Sequence, residues 1–309
     1  MNGFLVVNKP AGLTSHDVVA RIRRAAHQRR VGHAGTLDPA AEGVLIVCLG
    51  PSTRLVDHLM AGTKRYTATI ALGATTTTDD AEGGIVEERD ASAIARADVE
   101  RALLEFTGAI RQIPPMYSAL KVAGTPLYKL ARKGVEIERA AREVTIHSLV
   151  LLEFGPRRVV VDVTCSKGTY IRTLARDLGE RLGCGAHLAH LLRTASGRFT
   201  LEDATRLDEL VEGLSSGRAA DYLNPPDAAL ADLDVIVVGA EGERRLVTGS
   251  PYRPEVVVRA PTDGAEYRVY TVEGEHIGIA TFDAEVDVWR PTKKLIEEPP
   301  APKPDAALG

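Results

Sequence analysis

Cysteine is scarce in this chain of 309 residues: Cys48, Cys165 and Cys184 stand far apart, and no two form a C-x-x-C pair. That argues against a disulfide framework and a cysteine-based structural zinc site, and leaves the three as buried small hydrophobes. No apolar run approaches the roughly 20 residues of a membrane span. The opening MNGFLVVNKPAG has a short apolar stretch but neither a basic lead nor a small-residue cleavage site. It does not read as a signal peptide, so the expected location is the cytoplasm. Neither G-x-x-x-x-G-K-[ST] nor G-x-G-x-x-G occurs, which removes most support for nucleotide-cofactor chemistry. Asp38 and His33 have no second acid or histidine beside them at a recognised ligand spacing, which counts against metal-dependent hydrolysis. What remains is a carboxylate working without metal or cofactor, as nucleophile or base.

The hydrophobic share of 44% and charged share of 26% are those of an ordinary globular protein long enough for one large domain and a smaller appendage. The net charge of −4 argues against a polyanionic partner until its distribution is read. Residues 1–80 carry nine Lys or Arg against six Asp or Glu, whereas residues 241–309 carry nine against thirteen. The densest basic stretch, RIRRAAHQRR from Arg21 to Arg30, lies directly before a glycine-rich loop. A charge run is often only a solvated face, but this placement favours phosphate binding by the amino-terminal third.

Strands and helices alternate along the chain. Phe4–Val7, Val44–Leu49, Lys64–Leu72 and Val159–Cys165 are strand-like runs. Thr14 or Ser15 caps a helix through Val18, Val19, Ile22 and Ala26. Asp79–Gly84 reads as a turn, and Asp98–Phe106 as a helix stopped near Gly108. Ile171–Leu182 places Leu174, Leu178 and Leu182 on one helical face, with Gly179 as a weak point. Strand character returns at Val235–Val238 after the Asn224-Pro225-Pro226 break. These signals divide the chain into residues 1–230, a smaller unit at 231–292, and a proline-rich, disordered tail at 293–309.

The stretch GHAGTLDPAAEG, Gly32 to Gly43, builds three glycines and a proline around Asp38. Pro39 pushes Asp38 toward an extended conformation, so the backbone aims the carboxylate. An Asp-Pro pair also merely opens turns, and a lone histidine such as His33 is also a core residue. Composition does not decide between these readings.

The loop has company. NKPAGLTSHD, GHAGTLDPAAEGVL, LGPSTRL, KRYTATIALG, IPPMYSALKVAG, CSKGTYIRTLARDLG and GCGAHLAHLLRT follow one another over about residues 3–200. In this order they resemble the TruB family, the bacterial tRNA pseudouridine-55 synthases. The resemblance implies an α/β fold of the α+β kind: a mixed, largely antiparallel sheet flanked by helices, followed by a small β-rich, PUA-like domain. It implies isomerisation of uridine to pseudouridine in the T loop of tRNA, without cofactor or metal, on a T-arm stem-loop and with no obligate protein partner. By position, Asp38 matches the catalytic aspartate. Tyr66 matches the tyrosine that stacks on the target uracil and is a candidate for proton transfer at C5. Arg172 matches the arginine paired with the aspartate, His33 the histidine that helps displace the nucleotide, and Leu191 an apolar pocket residue. Lys9, Tyr117, Lys121 and Lys167 fall in matching blocks as RNA or pocket contacts. Two features depart from the pattern. Glu42 replaces a small hydroxyl residue and would raise the pKa of Asp38 if the two met. Residues 235–290 match only loosely. The alternative is a tRNA-binding and folding protein whose catalysis is incidental or lost.

Overall fold

The computed structural model describes residues 1–296 except 119, 123, 132, 133 and 136. In chain order the first half runs β1 (Gly3–Lys9), α1 (Ser15–Ala25), β2 (Val31–Ala34), β3 (Glu42–Leu49), α2 (Val56–Ala61), β4 (Lys64–Leu72), β5 (Ala74–Thr76), β6 (Ile85–Glu88), α3 (Arg96–Glu105), β7 (Gly108–Gln112), β8 (Lys121–Val122), β9 (Thr125–Pro126) and α4 (Leu127–Ala131). It continues with β10 (Arg142–Gly155), β11 (Arg158–Cys165), α5 (Ile171–Arg181), β12 (Ala186–Ser196), β13 (Phe199–Thr200), β14 (Thr205–Arg206) and α6 (Leu207–Ser215). The remainder is β15 (Asp234–Val238), α7 (Ala240–Thr248), β16 (Val256–Val257), β17 (Glu266–Thr271), β18 (His276–Asp283) and β19 (Val288–Lys294).

The large sheet is ordered β14-β1-β3-β12-β4-β11-β10-β7, with β2 added to β3 and β13 to β12. Only β1/β14 and β3/β12 pair in parallel, so the sheet is mixed and largely antiparallel. β1 and β3 are apolar without alternation because both of their faces are covered. One face packs on α1, α3, α5 and α6 through Leu5, Leu45, Ile22, Leu174 and Leu210. The other packs Phe4, Ile46 and Cys48 on Leu55, Leu59 and Leu230, together with Ile279 and Leu295 from the carboxy-terminal part. All three cysteines are buried and free.

Helix α1 starts where its cap demands. The Thr14 side chain accepts from the Asp17 N–H, and the Asp17 carboxylate accepts from Thr14 N–H, a reciprocal capping box. Helix α5 follows its predicted apolar face, but Gly179 is no weak point. A Cβ there would stand 2.1 Å from the Ala186 nitrogen, so the glycine is what lets the helix lie against the start of β12.

Beyond Leu230 a second sheet, β16-β15-β17-β18-β19, has its own core of Tyr267, Phe282, Trp289 and Leu246. It is joined to the first unit through α2 and the turn before it. His58 Nε2 meets Glu266 Oε2 at 2.9 Å, and Arg54 donates to the Lys294 carbonyl at 2.5 Å. The last strand carries ordered chain past the expected tail start: Lys293 and Lys294 pair with β18, and Leu295 is 1% exposed. The apolar Leu295 side chain closes the core under β1, which is why the strand does not stop at 292. Residues 297–309 lie outside the described residues. Among those described, no helix is long and apolar enough to cross a membrane.

Gly43 marks the tightest point of the sheet. Its φ is +99°, and a Cβ would stand 2.2 Å from the Arg193 carbonyl oxygen. Gly43→Ala is expected to destabilise the protein by about 2 kcal/mol or more, combining left-handed strain with a backbone clash. Denaturant titration of both proteins checks this; an unchanged midpoint would show that the strands can part at no cost.

Candidate active site

The loop between β2 and β3 is held on several sides before its acid does anything. Ser15, at the start of α1, donates its hydroxyl to the Leu37 carbonyl at 3.1 Å and accepts from the Leu37 N–H at 2.9 Å. Lys9 sends its ammonium to the carbonyls of Pro10 and Pro39, and Gly12 N–H also reaches the Pro39 carbonyl. Arg193, 1% exposed, donates to the carbonyls of Gly35, Thr36 and Val44. Gly35, at φ +98°, turns the chain out of β2. Asp38 is thereby fixed at the tip, with its own carbonyl accepting from Ala41 N–H.

Its side chain keeps 40% of its surface and faces Arg172, which keeps 7%. Arg172 stands at the second position of α5 and reaches two acids. Nη2 lies 3.1 Å from Asp38 Oδ2, and Nη1 lies 3.3 Å from Asp80 Oδ2. The carbonyls of Thr78 and Tyr117 accept its remaining hydrogens. Asp80 is held in turn by the Thr78 hydroxyl and Glu82 N–H. Burial raises the pKa of Asp38; Arg172 opposes it, Asp80 adds to it, Lys9 opposes it, and the net direction is upward. The second acid is therefore Asp80. Glu42 turns away and bonds His190 Nε2 at 2.7 Å, so the expected meeting of Glu42 with Asp38 gives way to a cross-strand pair.

Asp38 and Arg172 form the wall between two cavities. The smaller, of about 260 Å³, is lined by Tyr66, Leu191, Ile171, Tyr170 and Met60, with Lys64, Lys167 and Arg193 on its polar side. The larger, of about 550 Å³, is lined by Thr14, His16, Pro39, Thr78, Asp80, Glu82 and Tyr117. Tyr66 comes from β4 and Leu191 from the neighbouring β12, so sheet pairing brings both to one cavity. The Tyr66 phenol is raised by burial.

The other sequence-derived candidates divide. His33 lines neither cavity, but packs edge-to-face on His16 at 5.3 Å. Burial holds His33 down to about 4, so it is a neutral ring. Lys9 is fully buried beneath the loop and pushed down to about 8 by burial, a loop anchor rather than a group open to a ligand. Tyr117 lines the larger cavity, and Lys167 sits exposed on the rim of the smaller. Lys121 lies on β8, and its side chain falls outside the described residues. Sequence reasoning passed over Asp80, Arg193 and Tyr170. Asp80 read as a turn residue, while the other two were already within the quoted KGTYIRT and LLRT blocks. Among the described residues no three His, Cys, Asp or Glu side chains converge as a metal site requires.

Comparison with known proteins matches this architecture. The model of the TruB family pseudouridylate synthase amino-terminal domain covers residues 23–171, and that of the tRNA pseudouridylate synthase B carboxy-terminal domain covers 172–236. The chain is 48% identical to tRNA pseudouridine synthase B of Geobacter sulfurreducens over 81% of its own length and 83% of the relative's. It is 42% identical to the synthase of that name from Dehalococcoides mccartyi strain BAV1, over 99% and 100% of the two chains. A chain of the crystallised Cbf5-Nop10-Gar1 complex superposes with a TM-score of 0.73 at 25% identity, covering 95% of this chain and 85% of that one. With the family models over residues 23–236 and 48% identity to a synthase over 81% of its length, this chain belongs to the TruB family of pseudouridylate synthases.

Proposed function

We propose that the protein isomerises uridine to pseudouridine at position 55, in the T loop of tRNA, in the cytoplasm and without cofactor. The observation that carries this reading is the single carboxylate of Asp38, set against Arg172 on the wall of a cavity that Tyr66 and Leu191 also line. A uracil leaving its stack costs a few kcal/mol, and a pocket with an aromatic and an apolar wall offsets that cost. Asp38 then acts at the ribose, by attack on C1′ or by removal of the 2′ proton, while Arg172 keeps it ionised and oriented. The uracil turns, C5 joins C1′, and Tyr66 receives the C5 proton. His33, neutral and packed against His16, helps displace the nucleotide from its loop. Residues 1–230 form the catalytic domain, and the sheet from 231 onward the PUA-like domain that braces it. Incubating the purified protein with unmodified tRNA transcript and mapping pseudouridine tests the assignment as a whole.

Asp38→Asn removes an ionisable group at nearly constant shape. Turnover should vanish while affinity for tRNA stays within about threefold, since uniform binding is untouched. A tritium-release assay beside a binding titration reads both, and appreciable turnover by pure mutant protein would refute the assignment of Asp38.

The pH profile has a sign. Asp38 acts ionised and its pKa is raised, so activity falls as pH drops through a value above the ordinary 3.8. Asp80→Asn deletes a neighbouring negative charge and should move this acid limb to lower pH. Arg172→Gln deletes the opposing cation and should move it to higher pH, with turnover down by about 100-fold or more. Single-turnover rates across the acid range check both; shifts in the same direction would show that the limb belongs to another group.

RNA affinity should rest on the exposed arginines in the last turn of α1 and just beyond it. Arg23 is occupied with the carbonyls of Arg29 and Val31, and Arg21 faces Asp208. Arg24 and Arg29 are exposed, and Arg29 lines a groove with Arg54. Arg24→Glu with Arg29→Glu should weaken T-arm binding by about tenfold or more and lower the salt slope by about 1–2, given roughly 0.9 per neutralised phosphate. Titration of labelled hairpin at several salt concentrations decides it; an unchanged slope would move the phosphate contact elsewhere.

A further inference from the structure

Two arginines stand at the smaller cavity, and their surroundings differ. Arg172 has two carboxylates. Arg193 is more deeply buried, at 1% exposure, and donates to the backbone carbonyls of Val44, Gly35 and Thr36; among the described residues it forms no ion pair with a carboxylate. A buried charge without a counter-charge is costly, and a fold that keeps one has a use for its field. That field is felt nearby. Burial first, and Arg193 among the neighbouring charges, hold Lys64 down to about 8 and His33 to about 4.

The group directly across the sheet from Arg193 is Tyr66: the two are register partners on β12 and β4, and both line the cavity. Tyr66 is 8% exposed. Burial pushes its phenol up, Cys165 and Asp38 push the same way, and Arg193, within hydrogen-bond reach, opposes them. Among the charges around the phenol, that guanidinium is the one that chiefly favours its anion.

We propose that Arg193 is a positioning residue for catalysis, its unpaired buried guanidinium serving as the counter-charge for a Tyr66 phenolate formed during turnover. The inference rests on the reading of Tyr66 as the acceptor of the C5 proton. When C5 has bonded to C1′ it still carries its hydrogen. The phenolate oxygen takes that proton, the C5–H electron pair becomes the C5–C6 double bond, and the C6–N1 double bond opens to N1, which takes a proton from water. The phenol then returns its proton to water. One proton leaves C5 and one reaches N1, with no oxidant or reductant. An arginine suits this place better than a lysine, because Lys64 nearby already loses much of its hold on its proton there.

The test separates this inference from the proposed reaction. A fluorinated tyrosine placed at position 66 lets fluorine NMR follow phenol ionisation in the free protein, with no RNA present. Arg193→Gln should lower the ionisation constant by about tenfold or more, whereas Arg193→Lys should leave it within about threefold at neutral pH. In single turnovers on tRNA carrying deuterium at the uridine C5, Arg193→Gln should be slow with a primary isotope effect larger than that of the unaltered protein. Equal ionisation in all three proteins, or slow turnover without the isotope effect, overturns the proposal. If Arg193→Gln does not fold, Arg193→Lys alone decides. Its turnover should fall as pH rises through the pKa of the new lysine, and a rate independent of pH there also overturns it. Absence of any pseudouridine with the unaltered protein would instead overturn the T-loop reading and leave the ionisation result standing.

Discussion

Everything at the site depends on an ion pair that works against its own burial. Burial of Asp38 favours the neutral acid, while a permanent cation at 3.1 Å, with Lys9 behind it, favours the carboxylate. A guanidinium suits this because it does not lose its proton and because its fork serves several acceptors at once. Arg172 turns both terminal nitrogens of that fork on two carboxylates and two carbonyls. The half-exposed Asp38 is partly screened by water, while the nearly buried Asp80 is not. Asp80 therefore anchors the arginine, and Asp38 remains the end that is open to a substrate.

The loop that presents Asp38 is stiff because nearly every carbonyl in it is spoken for. Lys9, Gly12 and Ser15 from one stretch of chain and Arg193 from another converge on the carbonyls of Gly35, Thr36, Leu37 and Pro39. Holding a carboxylate in place beforehand removes the entropy cost of ordering it when a ligand arrives. It also explains why Gly43 must be glycine: β3 and β12 close upon each other just behind the acid, and Arg193 supplies both the backbone that crowds Gly43 and the side chain that holds Gly35.

The carboxy-terminal sheet is tied to the catalytic unit through a short element with a second job. Helix α2 and the turn before it contribute Arg54, Asp57 and His58 to that junction, while Met60 of the same helix lines the smaller cavity and its carbonyl accepts from Lys64. Some acids of the carboxy-terminal segment form local pairs, such as Asp283 with Arg290 and Glu241 with Arg245, which are solvent-accessible and weakly stabilising. Its apolar contribution, through Ile279 and Leu295, is to the core beneath β1.

Much of this was legible in the residues themselves. Continuous apolar runs announced β1 and β3, the Thr14 cap placed the start of α1, and the block order pointed to Asp38, Tyr66, Arg172 and Leu191, four residues from four elements that do share one cavity. Local signals work there because they report properties of single segments: which face is apolar, where a backbone must turn, which acid is left alone. What the segments do to one another is absent from them. Asp80 looked like a turn residue, Glu42 like a rival to Asp38, Lys9 like a hand for RNA, and Gly179 like a flaw. Each reading changed because pKa, exposure and close approach depend on distances between residues remote in the chain, and those distances exist only after β12 has paired with β3 and β4. The sequence by itself determined which chemistry is present, and tertiary packing decided which of those groups face substrate, which hold them, and which charges are left without partners.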